Sequence, residues 1–228
     1  MATRILKSNF DFLKLVKKNN DRIWFNHNKE RYLKELSNVE LFAENLLREM
    51  NKHDEIETPS GKKSLHRIYR DVRFSKDKRP YNTHWGGSFI RATKKRRGSY
   101  YFHLEPGNTF VAGGFWGPEP KDLKRIRDEF SYDAKTFRKI LQNKNFISTF
   151  GNMQGEQIKT TPKGFNAEDE AIDLLRYKQF LLIKKFSDEE ALGENFVKIL
   201  NATYKQMRPF LNYMSDTLTS DLNGTSLI

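Results

Sequence analysis

Residues 87–116 read GSFIRATKKRRGSYYFHLEPGNTFVAGGFW. Three runs here are rich in aromatic, aliphatic and hydroxyl residues: 87–92, 99–105 and 109–116. The basic stretch 91–98 lies between the first two, and Pro106-Gly107-Asn108 joins the last two. Connections this short suit antiparallel neighbours, because a parallel crossover needs a dozen or more residues. The stretch therefore predicts an antiparallel sheet. Gly113-Gly114 inside the third run permits a bulge or a close approach of another backbone.

Outward from this stretch the periodicity changes. Phe10, Leu13 and Val16 recur at three-residue spacing behind Ser8 and Asn9, two plausible caps. Asn19-Asn20 breaks that helix, and Asp21 can cap the turn carrying Trp24 and Phe25. Tyr32, Leu33, Leu36, Val39, Phe42, Ala43, Leu46, Leu47 and Met50 keep to one helical face. After a turn-rich stretch at Thr58-Pro59-Ser60-Gly61, residues 65–72 read as a further strand. Residues 119–150 return to helix through Leu123, Ile126, Phe130, Phe137, Ile140 and Leu141. Residues 180–186 read as a strand or part of a helix. Asp188 is expected to cap a helix carrying Phe196, Ile199, Leu200, Tyr204 and Met207 as far as Pro209, with a shorter helix after it. The expected class is α+β: a central antiparallel sheet of about four to six strands, packed with helices from the N- and C-terminal segments. A single domain over residues 1–228 is expected, helical at 9–51, sheet-rich at 64–117, helical at 119–150 and mixed at 156–228.

Thirty aromatic residues, 18 of them Phe, compensate for a hydrophobic fraction of 37% and make a sizeable core attainable. The absence of cysteine excludes disulfides, thiolate metal sites and cysteine nucleophiles. No stretch approaches the ~20 apolar residues of a membrane helix, and the N-terminal residues do not read as a signal peptide. A soluble protein in the cytoplasm, with no membrane partner, is the expectation.

Charge is concentrated. Residues 62–101 hold thirteen Lys/Arg against Asp71 and Asp77, so this segment carries +11 of the chain's +12. Local basicity points to an anionic partner. Within it, residues 67–84 read RIYRDVRFSKDKRPYNTH. If residues 65–74 are extended, Arg67, Tyr69, Asp71 and Arg73 share one face. His66, Ile68, Arg70, Val72 and Phe74 share the other, which is mostly apolar and should pack on the core. Arg67, Arg70, Arg73, Lys76 and Lys78 are candidate anion ligands, guanidinium forks and ammonium point charges alike. Asp71 would orient an arginine, while Tyr69 and Tyr81 could donate hydroxyl hydrogen bonds. The bland alternative is a structural ion-pair network holding the edge of the sheet.

This run resembles the signature of a family known as domain of unknown function 2461. Other matching pieces are Asn19-Asn20 with Trp24-Phe25, Tyr101 with His103-Leu104, Gly113-Gly114 with Trp116 and Pro118, Ile126-Arg127, Pro162-Lys163-Gly164-Phe165, and Leu175-Arg176 with Lys178. The resemblance implies an α+β domain found in bacteria and some fungi; it carries no established activity, so it transfers a fold and a site and not a function. Two features depart from the family pattern: Asn82 stands where the family usually has Lys, and residues 91–97 are unusually basic.

Tyr101, His103 and Glu105 alternate on one strand face, so His103 beside a carboxylate is a candidate general base. Asp71 and Tyr69 are the other candidates for handling protons, and a half-exposed cross-strand cluster is the bland reading. The five histidines show no HxxxH or HExxH spacing, so no metal site is expected. Neither a GxxxxGK[ST] loop nor a GxGxxG fingerprint occurs, and no cofactor is expected. Three functions fit: a pocket for a small phosphorylated or carboxylated ligand, in an enzyme or a binding protein; a nonspecific nucleic-acid surface; or an interaction module for an acidic protein. The interleaving of Tyr69, Asp71 and Tyr81 with the arginines favours the first. Whether the protein is an enzyme and how it oligomerises are left open by the residues.

Overall fold

The computed structural model describes residues 4–92, 95–221 and 225–226. The chain begins with helices α1 (Lys7–Lys18), α2 (Arg22–His27), α3 (Lys29–Met50) and α4 (Gly61–Ser64). Strands β1 (Trp85–Ile90), β2 (Ser99–Leu104) and β3 (Thr109–Phe115) follow. Helices α5 (Pro120–Asp133), α6 (Lys135–Leu141), α7 (Lys144–Phe150) and α8 (Ile172–Leu175) precede β4 (Phe180–Phe186), and α9 (Asp188–Leu192) and α10 (Phe196–Thr219) close the order. The strands form one antiparallel sheet ordered β1-β2-β3-β4, which with the helices makes an α+β fold. Among the described residues no helix is long and apolar enough to cross a membrane.

The chain divides into two compact units: Met1–Phe89 with Tyr101–Val111 and Lys185–Ala202, and Ile90–Tyr100 with Ala112–Lys184 and Thr203–Ile228. In the first unit α3 supplies most of the predicted stripe, with Val39, Phe42, Ala43, Leu46 and Met50 fully buried, whereas Leu33, expected on it, is 51% exposed. Phe42 meets Phe102 of β2 edge-on at 5.8 Å and lies parallel to Phe196 at 6.1 Å. α1 is tied to α3 by a buried polar knot. Glu35 accepts from Asn9 Nδ2 at 2.7 Å and from Ser8 Oγ at 2.9 Å, while Asn9 Oδ1 caps α1 by accepting from the Leu6 amide at 2.8 Å. A carboxyl group buried to 5% exposure tolerates that position because its Oε2 accepts both of these hydrogen bonds.

The second unit is built on aromatic rings: Phe130 on Phe137 at 4.6 Å, Phe130 on Phe180 at 5.9 Å and Phe137 on Phe210 at 5.6 Å. Gly114 has φ +139, and a Cβ there would fall 2.0 Å from the Phe180 carbonyl oxygen, so the glycine allows the close approach of β3 and β4. Arg91, expected among exposed basic residues, is only 1% exposed. Its guanidinium donates to the Arg97 carbonyl, to Ser215 Oγ and to Asn212 Oδ1, so it binds the start of the basic turn to α10. Lys94 lies outside the described residues.

Three local expectations need correction. Residues 65–74 do not form a strand. They make only isolated bridges, Leu65 to Gly87 and Tyr69 to Tyr81. Ile68 is buried as expected, but Phe74 is 96% exposed and does not pack on the core. The reason is local competition, because side chains here hydrogen-bond the backbone that a ladder would use. Asp71 accepts from the Arg73 amide, Asp77 accepts from the Arg79 amide, and Lys78 Nζ donates to the Val72 carbonyl. Secondly, Ser187 rather than Asp188 caps α9, accepting from the Glu190 amide at 3.1 Å in a capping box with Glu190. Thirdly, α10 runs through Pro209 rather than stopping there. Proline removes one helical hydrogen bond. Met207, Phe210, Leu211 and Met214 are all fully buried on either side of it, and that burial offsets the loss.

Candidate functional site: a Tyr–His–Glu array and a self-paired basic loop

The period-two pattern of β2 sends Phe102 and Leu104 into the core and Tyr101 and His103 to the opposite face. On that face a continuous hydrogen-bonded array forms. Tyr101 Oη is 3.0 Å from His103 Nδ1, and His103 Nε2 is 3.2 Å from Glu105 Oε2. Glu105 also accepts from Thr83 Oγ1 at 3.0 Å and from Asn108 Nδ2 at 3.1 Å. The His103 ring is held between two others, His84 at 4.1 Å and Phe110 at 4.6 Å, both stacked. His66 stacks on Tyr101 at 5.5 Å and bonds Ser88 Oγ at 2.8 Å. Gly86 leaves room for the phenol, since a Cβ there would lie 2.8 Å from Tyr101 Oη.

The electrostatics give the array a direction. Burial would raise the Glu105 carboxyl, but hydrogen bonds from Asn108, His103 and Thr83 outweigh it and hold the group below its usual range. An ionised Glu105 can only accept a hydrogen bond, so His103 carries its hydrogen on Nε2 and offers the Nδ1 lone pair to the Tyr101 hydroxyl. Burial lowers His103 despite Glu105, and it pushes Tyr101 up to about 12. Burial, with a contribution from the neighbouring His103, pulls His84 down to about 4. At neutral pH the array is thus a protonated phenol, a neutral imidazole and a carboxylate. A hydroxyl, a base and a group that orients the base is an arrangement suited to moving a proton.

The basic loop is arranged differently. Asp71 holds Arg73 through Arg73 Nε at 3.0 Å and Nη2 at 2.6 Å. Asp77 holds Arg79 in the same two-pronged way and also accepts from Arg70 Nη1 at 2.9 Å. Arg73 and Arg79 respectively hold the Asp71 and Asp77 carboxyls below the usual carboxylate range. Lys78 Nζ donates to the carbonyls of Val72 and Arg73. Of the predicted anion ligands, Arg70, Arg73 and Lys78 are therefore engaged within the loop. The side chains of Arg67 and Lys76 are exposed and make no hydrogen bond or ion pair among the described residues. Tyr81 is 3% exposed and its ring stacks on Phe25 at 4.0 Å. Tyr69 is half-exposed and touches the same two rings. Asn82 supports the segment by donating from Nδ2 to the Arg67 carbonyl at 3.1 Å.

His84, His66, Thr83, Ser88 and Asn108 were not singled out from the sequence. A usable signal was present for some of them. His84, Gly86 and Ser88 are spaced by two around β1, as Tyr101, His103 and Glu105 are around β2. A hairpin pairing those strands puts both trios on one face. Among the described residues no group of three or more His, Asp or Glu is arranged to hold a metal ion.

A family model described as conserved hypothetical protein (DUF2461) matches residues 8–213. The chain belongs to this family. No curated protein and no solved structure matches it. Pieces of sequence that carried the resemblance to DUF2461 prove to be joined within each unit. Asn20 exchanges two hydrogen bonds with the Tyr81 backbone, at 2.9 and 3.0 Å. Phe25 stacks on the Tyr81 ring. Arg127 donates to the carbonyls of Leu175 and Tyr177 at 2.7 and 3.1 Å. Pro162-Lys163-Gly164-Phe165 is a turn, closed by the Phe165 amide on the Pro162 carbonyl and with Gly164 at φ +90.

Proposed function

We propose that this DUF2461 protein is an enzyme that moves a proton on a small anionic ligand, with Tyr101, His103 and Glu105 as its proton-handling array. The observation that carries the reading is the unbroken chain from Tyr101 Oη through both His103 nitrogens to Glu105. In the forward direction Tyr101 Oη takes a proton from the ligand while passing its own to His103 Nδ1. The imidazolium so formed lies against the Glu105 carboxylate, which favours its charge. The reverse sequence delivers a proton. His84 and Phe110 fix the His103 ring, and the low affinity of His84 for protons keeps a second positive charge away from it. The anionic end of the ligand goes to Arg67, the residue after His66, since the Arg67 guanidinium makes no ion pair among the described residues. Lys76 adds positive charge on the same segment. A protein of the cytoplasm, where phosphorylated and carboxylated metabolites are abundant, fits this reading.

The test is a thermal-shift screen against phosphorylated and carboxylated metabolites at low and moderate salt, followed by proton-exchange NMR on any ligand found. The expected result is a salt-tolerant rise in Tm for one ligand class, lost in Arg67→Ala. Tyr101→Phe should keep binding but lose exchange of a ligand proton with solvent, by about 100-fold or more. Absence of any small-anion response, or full exchange in both Tyr101→Phe and His103→Gln, would contradict the proposal.

A further inference from the structure

The basic loop carries an apolar feature that the proton-transfer reading does not use. Phe74 stands at its tip, 96% exposed, with the Arg73 guanidinium 5.9 Å from its ring centroid. Arg73 is itself fixed by two hydrogen bonds to Asp71, so the ring is presented on a braced arm rather than on a loose coil. Further along, Asp77, Arg79, Arg70 and Lys78 brace the return of the loop. Residues 67–79 carry six cations against two carboxylates. Arg67 and Lys76, the two whose side chains make no hydrogen bond or ion pair among the described residues, flank Phe74 in the chain.

We propose that this loop is a docking site for single-stranded nucleic acid, with one base stacked on the open face of Phe74 and flanking phosphates on Arg67 and Lys76. Charge complementarity selects a polyanion. The exposed ring selects one that also offers flat apolar faces, which unpaired bases do. Arg73 covers one ring face and suits a stack of guanidinium, phenyl and base, since the cation polarises toward the ring. The same feature argues against a lipid surface: burying Phe74 in acyl chains would carry the Asp71–Arg73 ion pair towards hydrocarbon, and a single side chain gives weak anchoring. An acidic peptide would use the cations but leave Phe74 uncovered.

The test is fluorescence anisotropy with a labelled twelve-residue oligothymidylate over a salt series, using the full chain. Phe74→Ala should weaken binding by at least about 5-fold without changing the salt slope, since stacking releases no counterions. Arg67→Ala and Lys76→Ala should each lower the slope of log K against log salt by about 0.7. Because Phe74 and both cations are exposed, Tm should stay at the wild-type value, which separates lost binding from lost folding. A duplex of the same length should show no dependence on Phe74. Equal affinity of wild type and Phe74→Ala for the oligonucleotide would overturn the proposal. So would Phe74-dependent binding to phosphatidylserine vesicles without binding to the oligonucleotide.

Discussion

Two regions of the first unit invite opposite readings of their residues. The loop at 67–79 is dense in charge, and on sequence grounds it is the obvious place for a ligand. Most of that charge is spent internally: Asp71 on Arg73, Asp77 on Arg79 and Arg70, and Lys78 on backbone carbonyls. The face of β2 holds a few polar residues scattered among aromatics. Tyr101, His103 and Glu105 nevertheless form a continuous array there, joined by His84, Thr83 and Asn108 from other segments. Charge density marks where cations are, whereas passing a proton needs groups whose hydrogen bonds follow one another in one direction. The loop uses its ion pairs as scaffolding, and the array uses burial to set protonation.

Substitutions that separate these roles sharpen the comparison, beginning with the rings of the two regions. Phe102, on the reverse of the array's strand, is fully buried, and Phe102→Ala should cost about 3–5 kcal/mol by chemical denaturation. Phe74→Ala on the loop should stay within about 0.5 kcal/mol of wild type in the same measurement. Parity between the two would break the distinction between core and display.

The array should also dominate the acid limb of stability. His84 takes up a proton near 6.5 when unfolded but only near about 4 when folded. The folded state is therefore favoured fully above pH 6.5, and that contribution drains away as pH falls from 6.5 through 4. His66 and His103 are lowered too and act with the same sign. The expected outcome is a Tm that falls over this interval and falls less steeply in His84→Gln. The loop carboxylates have the usual sign of a depressed acid: their contribution is present above the unfolded value of 3.8 and is lost at lower pH. They leave the range above pH 5 flat.

Within the loop the two braces should differ. Asp77 serves both Arg79 and the less exposed Arg70, so Asp77→Ala should lower the midpoint of denaturant titrations the more of the two. Asp71 serves only the well-exposed Arg73 among the described ion pairs, and Asp71→Ala should shift that midpoint less. The reverse order would show that the tip, rather than the return of the loop, is the structural element.

The fold was largely legible because its signals are periodic. Three strands and the apolar stripe of α3 follow from spacing, as does β4 in one of its two readings. Pro209 misled because a proline is a local signal, while the burial of Phe210, Leu211 and Met214 that carries α10 onward is a property of tertiary packing. Residues 65–74 misled because strand periodicity cannot reveal that Asp71 and Asp77 turn back on their own backbone. For the site, Tyr101, His103 and Glu105 were visible as an alternation on one strand. His84, Thr83 and Asn108 were not, because their convergence on His103 and Glu105 depends on how neighbouring segments are paired. The burial of Arg91 was equally hidden: it opens a segment rich in lysine and arginine, and its partners Asn212 and Ser215 lie more than a hundred residues away in α10.

The most direct test of the array is nitrogen-15 NMR of the His103 ring at pH 7. A neutral imidazole protonated on Nε2, with Nδ1 accepting a hydrogen bond that disappears in Tyr101→Phe, is the predicted result. An imidazole protonated on Nδ1, or already cationic at that pH, would contradict the account, because His103 would then have no lone pair to offer the Tyr101 hydroxyl.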